Sequence, residues 1–286
     1  MEFIENMVKE VGRNAAANIK AKAGDFIGDD DMLNCGNCQT PKQKRITLFG
    51  REEIVPCLCS CEVEKDKREK EEQRRRIHFE QIKKLKTTAF PESKMDEYTF
   101  ENADNHAKNL MEVLKRYVSN FSTFKDNGTG LILYGSVGTG KTFSAACIAN
   151  ALLSENIPVL MTNFTRIANT VSGMWDGRQE YYDNLNRYPL LILDDLSAER
   201  NSSYMKEIVF NVIDSRYRAK LPMIITTNIT GEEMKNPTNE ADERIFSRIL
   251  ERCLPINVCG KDRRVAKARE TIQTTRNILG LKGDVQ

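Results

Sequence analysis

The chain has 286 residues, 40% hydrophobic and 29% charged, with a formal net charge of +2. That balance excludes a disordered or membrane-embedded chain, and so small a surplus argues for no nucleic-acid partner by itself. The length exceeds one small domain, so two domains are expected, and no apolar run approaches the roughly 18 residues of a membrane span.

The opening "MEFIENMVKE" lacks the basic-then-apolar layout of a secretion signal, so a cytoplasmic protein without a membrane partner is expected. Residues 1 to 30 read as a helical arm and a linker, because the glycines and consecutive aspartates of "AGDFIGDDD" break a helix. Eight cysteines in such a chain argue against disulfides, since cytosolic thiols stay reduced. Five of them lie between Cys35 and Cys61, while Cys147, Cys253 and Cys259 are scattered. Cys35-Gly-Asn-Cys38 followed by Cys57-Leu-Cys59-Ser-Cys61 offers more than the four thiolates of tetrahedral Zn²⁺. Between them "PKQKRITLFGREEIVP" carries two short strand-like runs split by Gly50, a hairpin joining the two ligand groups. So small a piece lacks a core without the metal. Spacing leaves open which two of Cys57, Cys59 and Cys61 complete the set. Lys42, Lys44 and Arg45 in the hairpin offer contacts to DNA, and a docking role for the module is the alternative.

After Cys61, "EVEKDKREKEEQRRRIHFEQIKKLK" is rich in helix formers, with Glu-to-Lys/Arg pairs at helical spacing, and predicts a long exposed helix. The expected organisation is an arm and zinc module over 1–61, a charged helical linker over 62–99 and a larger domain over 100–286. In that domain helical spacing in "HAKNLMEVLKRYVSNF" precedes the strand "GLILY". The further apolar runs "PVLMT", "PLLILDD", "PMIITTN" and "LPINVC" have the composition of parallel strands covered on both faces. Helical stretches separate them, and the fold class is α/β.

Gly135-Ser136-Val137-Gly138-Thr139-Gly140-Lys141-Thr142 fits G-x-x-x-x-G-K-[ST] and lies between a strand and a helix. Such a loop wraps backbone N–H groups around a phosphate chain; its lysine reaches the terminal phosphates and its threonine hydroxyl meets Mg²⁺. "PLLILDD" ends in Asp194, read as the Mg²⁺ carboxylate, and Asp195, read as the group that polarises the attacking water. Asn228, closing "MIITTN", is placed to orient that water from the next strand. Arg244, Arg248 and Arg252 fall four apart on one helical face, and arginine suits the charge of phosphoryl transfer. From Arg244 onward ten Lys/Arg face four Asp/Glu, a favourable field for an anionic partner. Trp175, Tyr181 and Tyr182 are expected to pack rather than to stack on bases.

These motifs carry a family likeness. From about Phe100 to Leu279 the chain resembles the AAA+ ATPases of the DnaC/DnaI type, the bacterial and phage replicative-helicase loaders, in "GSVGTGKT", "LLILDDLSAER", "IITTN" and "RIFSRI". The resemblance implies an AAA+ P-loop domain that binds ATP, associates side by side, binds single-stranded DNA and engages a DnaB-type replicative helicase. It further implies that Arg248 acts as a finger in the neighbouring subunit's site, that Arg264 senses the nucleotide in its own, and that Cys59 and Cys61 join Cys35 and Cys38 on zinc. Ser197 stands where the family often has glycine, and Asp195 where many relatives have glutamate, so a slow, DNA-stimulated ATPase is expected. IstB-type transposition helpers share the ATPase core, and a P-loop nucleotide kinase is the alternative from another class.

Overall fold

The fold was read from a computed structural model that describes residues 21–48, 50–90, 95–103, 108–196 and 202–281. Part of the arm expected over residues 1–30 therefore lies outside the described residues. The chain divides into two compact units, Met1–Phe79 and Glu80–Gln286.

In the first unit, β1 (Phe26–Ile27) pairs antiparallel with β2 (Leu33–Asn34), and β3 (Gln43–Leu48) with β4 (Arg51–Pro56). The second pair is the hairpin expected around Gly50. α1 (Ser60–Ala89) follows and runs across the division between the units. Its helix formers are supported by pairs four residues apart, with Lys65–Glu69 at 3.7 Å and Asp66–Lys70 at 2.7 Å. Only its final residue, Ala89, is buried, and Phe90 then precedes Pro91, which disfavours a further helical turn.

In the second unit a 3₁₀ turn (Met95–Glu97) leads to α2 (Lys108–Ser119) and α3 (Phe121–Asn127). The helical stretch expected here is two helices, with the break at Asn120, which donates both its backbone N–H (3.1 Å) and its side-chain amide (2.8 Å) to the Arg116 carbonyl. Then come β5 (Gly130–Tyr134), α4 (Lys141–Ser154), β6 (Val159–Asn163), α5 (Phe164–Ser172), α6 (Arg178–Leu185) and β7 (Leu190–Asp194). α7 (Ser203–Arg218), β8 (Met223–Thr227), α8 (Gly231–Lys235), α9 (Glu240–Arg252), β9 (Cys253–Asn257) and α10 (Arg263–Ile278) complete it.

The five strands form one parallel sheet in the order β6-β7-β8-β5-β9. Strand side chains alternate between faces, so Leu131, Leu133, Leu190, Ile192 and Ile224 join one core with α2 and α4. Ile132, Leu191, Leu193, Met223 and Ile225 join the other with α5, α7 and α9. Each fully buried aliphatic side chain contributes about 1.5–3 kcal/mol against exposure. At the amino-terminal end of the sheet, fully buried Arg216 donates to four carbonyls, those of Leu185, Tyr188, Pro189 and Pro222. Burial holds its pKa down, at about 9.

This is the AAA+ P-loop arrangement expected, and it brings the ends of β5, β7 and β8 together where an open α/β sheet takes its ligands. Among the described residues no helix is long and apolar enough to cross a membrane.

Candidate functional site

The glycine loop leaves β5 and enters α4 with Gly135, Gly138 and Gly140 at φ of 148°, 77° and 99°. At Gly138 the need for glycine is also steric. A Cβ there would lie 1.8 Å from Asp262 Oδ1, and at Gly135 one would lie 2.5 Å from the Val258 carbonyl oxygen. Val137 is exposed at the crest of the loop, and Thr139 donates from its hydroxyl to the Ser136 carbonyl at 3.0 Å.

Lys141 is buried, and its Nζ donates to the carbonyls of Gly135 (2.9 Å) and Ser136 (2.7 Å) and to Asn228 Oδ1 (2.6 Å). Burial draws its pKa below the usual lysine range, against the pull of Asp195 and Asp194, and the Arg264 charge adds to the lowering. Thr142 donates to both oxygens of Asp194, at 2.9 and 3.2 Å. Burial pushes the Asp194 carboxyl up, opposed by hydrogen bonds from Thr226 and Thr142. Asp195 is exposed, turns out of the strand at φ 58°, and donates its backbone N–H to Thr226 Oγ1 at 2.8 Å. Lys141, Thr142, Asp194, Asp195 and Asn228, drawn from three separate stretches, thus meet at one end of the sheet.

The first turn of α10 rests on the same loop. Arg263 N–H donates to the Gly138 carbonyl at 3.0 Å, and its guanidinium lies beside Gly140. Asp262 caps α10 by accepting the Arg264 N–H at 2.8 Å. Arg264 was expected at this site; Asp262, Arg263 and Thr226 were not. The signal for the first two lay in "GKDRR", an aspartate ahead of a basic helix start, and for Thr226 in the paired threonines of "IITTN".

Arg248 is held elsewhere. Its Nε donates to Asp214 Oδ1 at 2.9 Å, its Nη1 to the Arg244 carbonyl at 3.1 Å, and its guanidinium covers the Phe210 ring at 4.7 Å. These contacts lie on α7 and α9. Arg244 pairs with Glu240, and Arg252 covers the Tyr217 ring. Tyr182 is buried and Tyr181 partly so, as packing demands, whereas Trp175 is fully exposed.

In the first unit the sulfurs of Cys35, Cys38, Cys59 and Cys61 lie within 4.8 Å of one another. Cys57 points away, its Sγ donating to the Pro41 carbonyl at 3.4 Å. Cys35–Cys61 and Cys59–Cys61 stand 3.6 and 3.2 Å apart. A tetrahedral Zn²⁺ with about 2.3 Å bonds asks for sulfurs about 3.8 Å apart, a spacing that these separations and the 4.8 Å span of the set bracket, so the four fit it after small shifts. Hydrogen bonding, chiefly from Thr40, holds the Cys38 thiol at about 5, while burial pushes Cys59 to about 12. Asp25 braces the knuckle, accepting the Gly36 N–H at 3.1 Å and the buried Lys42 Nζ at 2.6 Å. That lysine bond holds the Asp25 carboxyl down at about 2.

A parallel sheet with this loop, acidic strand end and polar neighbouring strand defines a P-loop nucleotide-binding protein of the AAA+ class. The sequence profile described as IstB-like ATP binding protein matches residues 58–271, and the chain belongs to that family. It is similar to the replicative helicase loader DnaI of Bacillus subtilis, 26% identical over 180 residues that cover 58% of each chain. It is also similar to the replicative helicase loader DnaC of Escherichia coli K12, 29% identical over 158 residues covering 53% of this chain and 62% of the relative. The match thus spans about six-tenths of these relatives' own length. Among solved structures a crystal structure of DnaI aligns with a TM-score of 0.50 at 25% identity, covering 59% of this chain and 92% of that one. A DnaC helicase loader structure aligns at 0.51 and 22% identity, covering 58% of this chain and all of the other, which bears on the fold alone.

Proposed function

We propose that the chain is an ATP-dependent loader of a DnaB-type replicative helicase, acting in the cytoplasm on single-stranded DNA during the initiation of replication. One observation carries this reading: Thr142 bonded to Asp194, and Lys141 to Asn228, at adjacent strand ends of a chain similar to two replicative helicase loaders. In it the loop from Gly135 to Thr142 takes the phosphates of ATP, and Thr142 with Asp194 holds Mg²⁺. When bound, the ion would supply charge neutralisation to the phosphate chain. Asp195 accepts the proton of the attacking water, Asn228 orients that water, and Arg264 meets the nucleotide from α10. Arg248 completes the site of a neighbouring copy, so hydrolysis requires self-association and is slow until DNA assembles the subunits.

The amino-terminal portion, over 1–61, then carries Zn²⁺ on Cys35, Cys38, Cys59 and Cys61 and holds the helicase; the helical linker over 62–99 joins it to the ATPase domain over 100–286. The family match also supports a second reading, a transposition helper ATPase of the IstB type. Capture experiments with the purified chain, with and without Mg·ATP, separate the two. Nucleotide-dependent retention of the replicative helicase ring is the expected result. Retention of a transposase in its place would overturn it, and transfer of the γ-phosphate to an acceptor other than water would return the site to the kinases.

A further inference from the structure

Thr226, 1% exposed, is the penultimate residue of the fully buried β8 and lies beside the acidic end of β7. Its hydroxyl has one proton and lone pairs to spare, and the structure uses both kinds of capacity. It donates to Asp194 Oδ1 at 2.6 Å and accepts the Asp195 backbone N–H at 2.8 Å. The Thr226 carbonyl in turn accepts the Leu196 N–H at 2.8 Å. One residue of β8 thus engages three consecutive residues of the neighbouring strand end. The middle one, Asp195, has a left-handed backbone at φ 58°, a conformation that a side chain with a Cβ adopts at a cost and keeps only where its surroundings hold it.

We infer that Thr226 is a positioning residue for ATP hydrolysis, fixing the Asp194 carboxylate that faces Thr142 and, through the Asp195 N–H, aiming the Asp195 carboxylate at the attacking water. This rests on the hydrolytic reading above. In the step it serves, the water oxygen bonds to the γ-phosphorus as the bond to the bridging oxygen breaks. The electron pair leaves on ADP, and the water's proton passes to Asp195. Thr226 acts on this through two neighbours.

Valine has nearly the shape of threonine and suits a buried strand, but it can neither donate to Asp194 nor accept from Asp195. Serine keeps the hydroxyl and loses a methyl. The test compares Thr226→Val, Thr226→Ser and the unaltered full-length chain for kcat and KM by phosphate release, for affinity toward a fluorescent ATP analogue, and for melting temperature. A displacement of about 1 Å in a reacting group costs up to about 100-fold, so valine is expected to lower kcat on the order of 10- to 100-fold. KM and analogue affinity should hold within about twofold, and serine should recover kcat to within about threefold. Wild-type kcat in the valine variant would overturn the inference alone, as would parallel loss of affinity and kcat in both variants with lowered melting. An unaltered chain that binds ATP yet never hydrolyses it would overturn the hydrolytic reading as well.

Discussion

Lys141 Nζ meets Asn228 Oδ1 at 2.6 Å, joining the start of α4 to the end of β8. With the Gly135 and Ser136 carbonyls, that oxygen occupies all three donors of the ammonium. A triphosphate entering the loop must take over some of these bonds. Lys141→Ala is therefore expected to abolish ATP binding, read by titration with a fluorescent analogue. Asn228→Ala should leave affinity nearly unchanged and lower the phosphate-release rate by about 100-fold, as removal of one positioned polar group does elsewhere.

Arg248 lies on α9 against Asp214 and Phe210, and the trans role assigned to it predicts a complementation pattern. Arg248→Ala should bind ATP as the unaltered chain does yet hydrolyse it at least about 100-fold more slowly. Mixing it with Lys141→Ala should restore part of the phosphate release, because one variant contributes an intact loop and the other an intact arginine. Two inactive proteins that stay inactive together would count against a shared site.

The four gathered sulfurs predict one zinc per chain by elemental analysis. Cys35→Ser or Cys59→Ser should lose that metal, with the first unit losing its protection from proteolysis, since so small a piece draws its folding energy from the ion. Cys57→Ser should retain the full zinc content. Equal loss in all three variants would show that Cys57 takes part.

The raised Asp194 pKa carries a stability cost with a definite sign. A carboxyl whose pKa is higher folded than unfolded favours the fold when protonated, and that contribution disappears as pH rises through the folded value. In nucleotide-free protein at neutral pH, Asp194→Asn should therefore raise the melting temperature. The gain should shrink as pH falls toward 3.8, the ordinary value for an aspartate. The same substitution should remove Mg²⁺-dependent hydrolysis, which makes this carboxylate stabilising for function and destabilising for the empty fold.

What could be read in advance was local. Each of the five strands shows as a short apolar run, and the loop from Gly135 to Thr142 has fixed spacing because backbone geometry demands it. The cysteines show by clustering, although three of them compete for two positions. Contacts made across the sheet had no such signature. Asp262 reaches Gly138 only because β9 lies beside β5, and nothing near either residue announces the other. Arg216 has the look of a solvated base at a helix end, in "SRYRAK", until β7 and β8 bring the Pro189 and Pro222 carbonyls to its guanidinium. Trp175 was expected to pack with its aromatic neighbours. It lies in the connection between α5 and α6, where helical periodicity no longer dictates which way a side chain faces.

The seat of Asp262 and Arg263 on the crest of the glycine loop ties a small cavity to a long rod. α10 has 16 residues and so extends about 24 Å from that seat. An aspartate carboxylate held against a turn that receives phosphates is repelled when they arrive, while the arginine beside it is drawn in. Opposite pulls on neighbouring residues at one end of a stiff cylinder would be expected to turn it, with the largest displacement at its far tip. The expected consequence is that filling the loop shifts the far end of this helix, read as a changed distance between labels on the loop and at Ile278 when Mg·ATP is added.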